Sequence, residues 1–229
     1  MDKSQQESCT KDELLEKEVL ANLPRVLRSE MTLVDINANK GQWVFHSSKI
    51  IKKGIIYAIE PDSRNFNELK SNCLRWERLF DNNVSMYALP IAISDTYNVI
   101  SPVTTDSSTS DMKHGLNEVA LDVNVESYDL DTLFEPINPD LIKMINVKGR
   151  ELRIIKGAGN ILKKGKAKFL IQVSGWHDTD GQNSLVELYD FMKSFGYYPK
   201  KIYVWNLFVN RKKYLLYLIK RIGRRLLIG

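Results

Sequence analysis

Three polar side chains lie at the ends of apolar runs of the sequence and have types that suit ligand binding. Asp35 lies at the end of the run TLVDI, Glu60 ends IIYAIE, and Asn146 comes at the end of DLIKMIN. In an open parallel sheet, ligands bind beyond the carboxyl ends of the strands, and a carboxylate at the second strand end can accept hydrogen bonds from both hydroxyls of a ribose. If the runs are parallel strands, their spacing therefore predicts a site for a nucleoside ligand.

The polar turn after Asp35 bears on which nucleoside ligand would fit. A dinucleotide-binding turn carries glycines in the order G-x-G-x-x-G, whereas residues 37–42 read Asn-Ala-Asn-Lys-Gly-Gln, with none of those glycines in place. Because a pyrophosphate needs close approach of the backbone, the side chains of Asn37 and Asn39 would hinder it. An adenosine ligand without phosphates, such as S-adenosylmethionine (SAM), makes a smaller demand, since only a sulfonium and an amino acid tail must pass the turn.

The elements that would position these residues alternate along the chain. Strands are predicted at residues 32–36, 55–60, within 83–95, 119–128, 140–147, 168–173 and 202–209, and helices at 42–52, after Pro61, at 150–162 and at 183–195. Residues 104–115 have the composition of a loop. Strands that alternate with helices predict an α/β fold, with a mostly parallel sheet and helices on both faces.

The length of 229 residues allows one sizeable core, and the 43% hydrophobic and 27% charged residues are ordinary for a globular protein. A capping box at Thr10 and Glu13 predicts a helix that continues to about Arg28 and is disturbed at Pro24. We therefore predict an N-terminal helical extension (residues 1–29), one α/β domain (residues 30–210) and a basic tail (residues 211–229).

Several features predict a cytoplasmic protein without a metal centre. No apolar stretch approaches the roughly 20 residues that span a bilayer, and the polar N-terminus does not read as a signal peptide. Cys9 and Cys73 are isolated and indicate reduced thiols. His46, His114 and His177 lack the spacing of metal ligands.

Four short motifs occur in order along the chain. They are VDINANKG at residues 34–41, Glu60-Pro61 followed by Asn65-Phe66 with Leu69 and Asn72, AISD at residues 92–95, and DLIKMINVKG at residues 140–149 followed by Glu151-Leu152 and Gly157-Ala158. This set resembles the FkbM family of SAM-dependent methyltransferases. The resemblance implies a class I (Rossmann-like) methyltransferase fold, S-adenosyl-L-methionine as the cofactor, and a hydroxyl of a sugar, glycan or other small polar metabolite as the methyl acceptor.

The resemblance also implies roles for the residues at the strand ends. The methionine part of SAM would be faced by Asp35 and by the turn that contains Asn37, Asn39 and Gly41. Glu60 would bind the ribose, and Ser94 and Asp95 would lie near the adenine. Taken singly, Asp35 is better explained as a helix cap and Glu60 as a solvated strand end, but their order along the chain favours a common site.

Four residues depart from the family's motifs. Asn37 and Asn146 replace a glycine and an aspartate, and Lys148 and Gln172 each replace a glutamate. Asparagine tolerates left-handed backbone angles better than most residues, although such a conformation costs about 1–3 kcal/mol. The amide of Asn146 can orient a nucleophile but cannot take a proton, and Lys148 would be unfavourable beside a sulfonium if it were buried.

The candidate catalytic residues are Asn146, Lys148 and His177. His177 lies in WHDTDGQN just beyond a predicted strand end, where an acceptor could enter, although a polar turn before a helix explains it slightly better. Two hypotheses follow from the departures. The first is an active methyltransferase that relies on positioning of the nucleophile, and the second is a catalytically inactive methyltransferase-fold protein with a binding or membrane-associated role.

The tail carries seven lysines and arginines and no acid, so the rest of the chain has a net charge of −2 within the total of +5. No specific nucleic-acid partner follows from that balance, and the sequence does not define an oligomeric state. On a helical wheel the tail places Leu215, Leu218, Ile219, Ile222 and Leu226 on one face, with basic residues largely opposite. This pattern predicts a helix in the interface of an anionic membrane, so that the protein would be peripheral on the inner face. A last helix packed on the domain is the second interpretation, and nucleic-acid binding the third.

Overall fold

The computed structural model describes the central part of the chain. The described residues are 23–80, 83–100, 103–104, 119–120, 125–145, 147, 149–172, 185–202 and 205–210. The predicted capping box at Thr10 and the basic tail both lie outside them.

The secondary structure begins with a short 3-10 helix at Leu23–Arg25. The first half of the domain then contains β1 (Glu30–Ile36), α1 (Gln42–Ile50), β2 (Lys53–Ile59), α2 (Ser63–Leu79), β3 (Asn83–Leu89), β4 (Ala92–Ser94), β5 (Asn98–Ile100), β6 (Val103–Thr104) and β7 (Val119–Ala120). The second half contains β8 (Val125–Asp129), α3 (Leu130–Phe134), β9 (Leu141–Met144), α4 (Glu151–Lys156), α5 (Gly159–Lys164), β10 (Lys168–Gln172), α6 (Leu185–Ser194), β11 (Tyr197–Ile202) and β12 (Trp205–Asn210).

A seven-stranded sheet forms the centre of the domain, with the strand order β11-β12-β10-β9-β1-β2-β3. Only β12 runs against its neighbours, and the other six strands are parallel to one another. The predicted α/β fold with a mostly parallel sheet is therefore confirmed. We call the side on which the six parallel strands end the carboxyl edge of the sheet, and the side on which they begin the amino edge.

Helices cover both faces because successive strand residues point to opposite sides. In β1, Leu33 belongs to a core cluster with α1 and α2, whereas Val34 and Ile36 belong to a second cluster with α3, α4, α5 and α6. β9 divides in the same way, with Leu141 in the first cluster and Ile142 in the second. The apolar runs that predicted these strands are thus continuous because both faces are buried.

The predicted helix at 150–162 is wrong in one respect, because two short helices replace it. The break falls at Gly157 and Ala158, between α4 and α5. A Cβ atom on Gly157 would lie 2.5 Å from the carbonyl oxygen of Ser94, so the backbone passes closer to β4 than any side chain would allow. This close contact joins the helical layer to the segment that follows β3.

Two further predictions need correction at the ends of the domain. The N-terminal helix does not continue to Arg28. Of its described residues, 23–28, only 23–25 are helical, and they form a 3-10 helix that contains Pro24. Residues 197–202 form β11, which the sequence did not predict because Pro199 weakens a strand pattern. As the terminal strand of the sheet, β11 tolerates a proline better than a central strand would.

Candidate functional site

Asp35 is fully buried and lies beneath α1. Its Oδ1 accepts a hydrogen bond of 2.5 Å from Nζ of Lys143, its register partner on β9. The ammonium also lies 5.1 Å from the ring centroid of Trp43 on α1. Burial raises the pKa of Asp35, and the charge and hydrogen bond of Lys143 act in the opposite direction. The side chain therefore joins two neighbouring strands in the core, while its buried Oδ2 has no hydrogen-bond partner within the described residues.

The turn between β1 and α1 has an alternating left-handed backbone. The φ angles are 60° at Asn37, 52° at Asn39 and 91° at Gly41. Asparagine is one of the few residues that adopt this region, so the conformation expected for Asn37 is confirmed. A Cβ atom on Gly41 would lie 2.8 Å from Leu69 and 2.9 Å from Trp76. Packing against α2 and a positive φ thus explain this glycine without a ligand.

The backbone N–H groups of the turn are already used within the protein. The amide of Ala38 donates to the carbonyl oxygen of Ile59, and that of Gly41 donates to the carbonyl oxygen of Ala38. The amides of Asn39 and Lys40 donate to side chains, at 2.8 Å in both cases. Phosphate-binding turns instead point their N–H groups at the ligand. This turn is consequently not arranged for a pyrophosphate, in agreement with the missing glycines.

Glu60 follows β2 at the carboxyl edge and is only 3% exposed. Its carboxylate accepts hydrogen bonds from the backbone N–H groups of Asn39 and Asp62 and from the side chain of Asn65. Burial raises the pKa of Glu60 more than these hydrogen bonds lower it. Glu60 therefore fixes the turn after β1 against the end of β2, which brings the first two predicted strand ends together.

Asn37 ties the same turn to the end of β9. Its Nδ2 donates to the carbonyl oxygen of Ile145 at 3.3 Å. A glycine could not make this bond, so the substitution adds a bridge between two adjacent strand ends. The bridge lies at the carboxyl edge, where the sequence predicted the methionine part of the cofactor.

Ser94 and Asp95 lie where the chain leaves β4. The Ser94 hydroxyl donates to Oδ1 of Asp95 at 3.0 Å, and Nε of Arg153 lies 3.3 Å from the same oxygen. Asp95 is thus connected to α4, the helix that follows β9. The pair occupies the segment after the third strand, as predicted, but its carboxylate already has a cationic partner.

Glu151 is a buried carboxylate that the sequence analysis did not single out as a site residue. It is 1% exposed, begins α4 beyond β9, and accepts hydrogen bonds from its own backbone N–H and that of Gly149. Its Oε2 has no hydrogen-bond partner within the described residues, and burial raises its pKa. A glutamate in the first turn of a helix is common, so only its burial distinguishes Glu151 from an ordinary helix-start glutamate.

Gln172 ends β10, the next strand along the carboxyl edge. Its Oε1 is likewise buried without a partner in the described part of the chain. The family's glutamate would put a charge at this point, whereas the amide keeps the shape and removes the charge.

The three predicted catalytic residues, Asn146, Lys148 and His177, lie outside the described residues. The described residues Ile145, Val147 and Gly149 follow the end of β9 on the carboxyl edge.

Other classes of site were sought in the same part of the chain. No group of three or more His, Cys, Asp or Glu side chains that could hold a metal ion occurs among the described residues. No helix there is both long enough and apolar enough to cross a membrane.

The strand order, with its one antiparallel strand beside the terminal strand, is that of a class I, Rossmann-like methyltransferase fold. A family model described as the methyltransferase FkbM domain matches residues 35–199, which is most of the chain. The chain therefore belongs to the FkbM methyltransferase family. Its function class is methyl transfer, and its cofactor is S-adenosyl-L-methionine. The predicted family, fold class and cofactor are thus confirmed.

Comparison with curated protein sequences finds no significant match. Among solved structures, the chain is similar to a precorrin-6y C5,15-methyltransferase from Geobacter metallireducens GS-15, with 14% identity, coverage of 88% of this chain and 89% of that chain, and a TM-score of 0.45. It is also similar to Aeropyrum pernix fibrillarin in complex with natively bound S-adenosyl-L-methionine, with 14% identity, coverage of 84% and 74%, and a TM-score of 0.48. The family assignment rests on the sequence match.

The residues at the carboxyl edge fit the cofactor in charge and in hydrogen-bonding capacity. A carboxylate offers about four acceptor positions, and the known donors to Glu60 occupy three. One acceptor position of Glu60 therefore remains for a ribose hydroxyl, and a second would require the Asn65 side chain to give up its hydrogen bond. Neither Glu60 nor Glu151 has a salt bridge within the described residues, so a cationic ligand would compensate negative charge that has no cationic partner in that part of the chain.

Proposed function

We propose that the protein transfers the methyl group of SAM to a hydroxyl of a sugar, a glycan or another small polar metabolite. The observation that carries the site is the pair of buried carboxylates, Glu60 and Glu151, at the carboxyl edge without a salt bridge in the described part of the chain. An isolated charge in such a place is costly unless a ligand or partner compensates it. SAM carries a sulfonium and an ammonium group, and its ribose offers two hydroxyl donors.

In this proposal Glu60 accepts the ribose hydroxyls, and Ser94 and Asp95 lie beside the adenine. The turn that holds Asn37 and Asn39 borders the methionine part. The Asp35–Lys143 pair acts at a distance, because it sets the position of β1 relative to β9. The family resemblance is the sole basis for the acceptor class.

The cofactor supplies a methyl group bound to a positively charged sulfur. The acceptor's oxygen must lie in line with that methyl group, and its proton must leave as the new carbon–oxygen bond forms. Of the three proposed catalytic residues, His177 can take a proton near neutral pH, whereas Asn146 can only orient the hydroxyl. Lys148 reverses the charge of the family's glutamate, and its ammonium would be unfavourable beside the sulfonium if it were buried.

The direct test of the site is calorimetric titration of SAM into wild type, Glu60→Gln and Glu68→Gln. Hydrogen bonds to a charged group contribute about 1.5–3 kcal/mol each, so loss of the Glu60 charge should weaken SAM binding roughly 10- to 150-fold. Glu68 is a matched control because it lies on nearby α2, is 50% exposed and pairs with Lys40. Adenosine should lose affinity in parallel, because the proposed contact is to the ribose. Equal binding of SAM by wild type and Glu60→Gln would refute the assignment.

The acceptor is tested separately by formation of S-adenosylhomocysteine in the presence of monosaccharides and oligosaccharides. Mass spectrometry of the product should show one added methyl group, on oxygen. Turnover only with amine or thiol acceptors would remove the hydroxyl class but leave the cofactor site intact.

A second candidate function is a catalytically inactive protein that keeps the methyltransferase fold. The observation in its favour is the bond from Asn37 to Ile145, which places a side chain across the carboxyl edge where the family has a glycine. The fourfold reversion Asn37→Gly, Asn146→Asp, Lys148→Glu and Gln172→Glu should then raise SAM affinity or create turnover. Efficient turnover by the unaltered protein would exclude this candidate.

The proposed location is the cytoplasm, with residues 211–229 as a peripheral contact to an anionic membrane. This segment lies outside the described residues, so the proposal rests on its sequence. Truncation after Asn210 should abolish co-sedimentation with anionic vesicles, and unchanged binding would contradict the role of the tail.

A further inference from the structure

Basic side chains concentrate at the amino edge of the sheet. Within the described residues, the segments that lead into the six parallel strands contain eleven lysines and arginines and three carboxylates. These segments are residues 23–30, 49–53, 78–80 with 83, 135–141, 163–168 and 193–197. They belong to different parts of the sequence, so only the fold brings the charges together.

The opposite edge has a different balance. Among the described residues that follow the strands, at 36–42, 59–63, 89–95 and 144–151, four are carboxylates and two are lysine or arginine. Within these described segments, the excess positive charge therefore lies on the side that faces away from the proposed cofactor site.

The three carboxylates at the amino edge are each engaged by a neighbouring cation. These ion pairs are Lys53 with Glu30, Lys164 with Glu135, and both Arg28 and Lys166 with Asp140. Each acid thus neutralises the charge of only the basic residues that it pairs with. Lys52, Lys163 and Lys193 remain exposed along the edge.

Two large apolar side chains are exposed among these cations. Leu79, at the end of α2, is 65% exposed, and Ile137, between α3 and β9, is 38% exposed. A surface that combines exposed leucine or isoleucine with lysine and arginine suits the headgroup and acyl boundary of a membrane. A nucleic-acid surface would match the cations but not the apolar side chains.

The last described strand ends at the same edge. β12 runs antiparallel to β10, and its last residue, Asn210, pairs with Tyr197 at the start of β11. The described chain therefore ends at the cationic edge, and the sequence that follows contains seven further lysines and arginines.

We infer that the amino edge of the sheet is a docking surface for an anionic lipid bilayer, formed by the folded domain itself. Lys52, Lys163 and their neighbours contact the headgroups, and Leu79 and Ile137 enter the boundary below them. The carboxyl edge then faces the aqueous side, so the acceptor reaches the site from solution. The docking surface does not depend on the identity of that acceptor.

The test is co-sedimentation of the full-length protein with vesicles of phosphatidylcholine, with and without phosphatidylserine. The edge variant is Lys52→Gln with Lys163→Gln. The matched control is Lys70→Gln with Lys156→Gln, because both lysines are exposed and lie midway between the edges, in the middle of α2 and at the end of α4. Both variants lose two charges and keep the tail, so net charge and tail are held constant.

At about fivefold per cation near an anionic surface, the edge variant should partition about 30-fold more weakly than wild type. The control should stay close to wild type, and added salt should reduce the difference between the two variants. Leu79→Ser with Ile137→Ser should weaken the binding that remains at high salt.

Four outcomes would overturn the inference. They are full binding by the edge variant, an equal loss in both lysine variants, equal binding to vesicles without phosphatidylserine, and tighter binding to RNA than to anionic vesicles under the same salt. The first would assign the interaction to the tail alone, and the last would assign the edge to nucleic acid.

Discussion

The buried ion pair between Lys143 and Asp35 predicts a large loss of stability in Lys143→Met. The lysine side chain is 3% exposed and the aspartate is completely buried, so neither charge is solvated by water. Removal of one partner of such a pair leaves an uncompensated buried charge and costs about 3–5 kcal/mol. Methionine fills most of the lysine volume, so the loss reports the charge more than a cavity.

Urea unfolding of wild type and variants measures this loss. The matched control is Lys53→Met, because Lys53 on β2 also pairs with a carboxylate of β1, Glu30, but both side chains are about two-thirds exposed. Exposed pairs contribute at most about 1 kcal/mol. The double variant Asp35→Asn with Lys143→Met should recover much of the loss, since it buries no charge.

The loss should also depend on pH. Burial raises the pKa of Asp35 above its ordinary value of 3.8, and without Lys143 nothing opposes that rise. The folded variant then binds the proton more tightly than the unfolded chain, so its stability is highest at low pH and falls as pH rises above that ordinary value. The deficit of Lys143→Met relative to wild type should thus be larger at about pH 8 than at about pH 5.

Two results would refute this reasoning. If Lys143→Met costs no more than Lys53→Met, the buried charge is compensated elsewhere. If the double variant is less stable than Lys143→Met, the aspartate contributes through something other than its charge.

Two further predictions concern packing. Gly157→Ala should destabilise by about 1–3 kcal/mol, because its Cβ atom would lie 2.5 Å from the carbonyl oxygen of Ser94, whereas Gly159→Ala has no close contact and should be neutral or stabilising by up to about 1 kcal/mol. Thermal unfolding of the two variants checks this, and equal shifts would contradict the contact. Burial raises the pKa of the Cys73 thiol to about 12, so iodoacetamide should modify it only after unfolding. Peptide mass spectrometry reads that out, and rapid labelling of the native protein would show that the thiol is accessible.

The sequence predicted the strands of the sheet well because their signal is local. The runs that contain β1, β2, β9 and β10 are apolar on both faces, and each predicted strand overlaps the observed one within a few residues. Such runs are long enough to distinguish a buried strand from a loop. β11 was missed because a proline and two lysines in YYPKKI hide the pattern of a terminal strand.

The site was predicted less completely because side-chain partners are not local. The positive φ of Asn37 could be expected from its residue type. The partner of Asp35 lies 108 residues later in the chain, and the missed signal was a lysine inside the apolar run DLIKMI. A lysine there must be paired or desolvated, so it could have been assigned to the nearest buried acid. The sequence around Glu151 contains no comparable signal, because the burial of this residue depends on how α4 packs.

The insertion of β9 beside β1 has a consequence for the order of folding. β1 can pair with β2 soon after synthesis, but its other neighbour is encoded 108 residues further on. At about 5–20 residues per second, the ribosome needs roughly 5 to 20 s to reach Lys143 after Asp35. During that interval Asp35 remains hydrated, and the nascent β1–β2 unit cannot bury it without its countercharge. Completion of the sheet is therefore a late event, and a chain that stops before β9 would present an open central strand to the cell's chaperones.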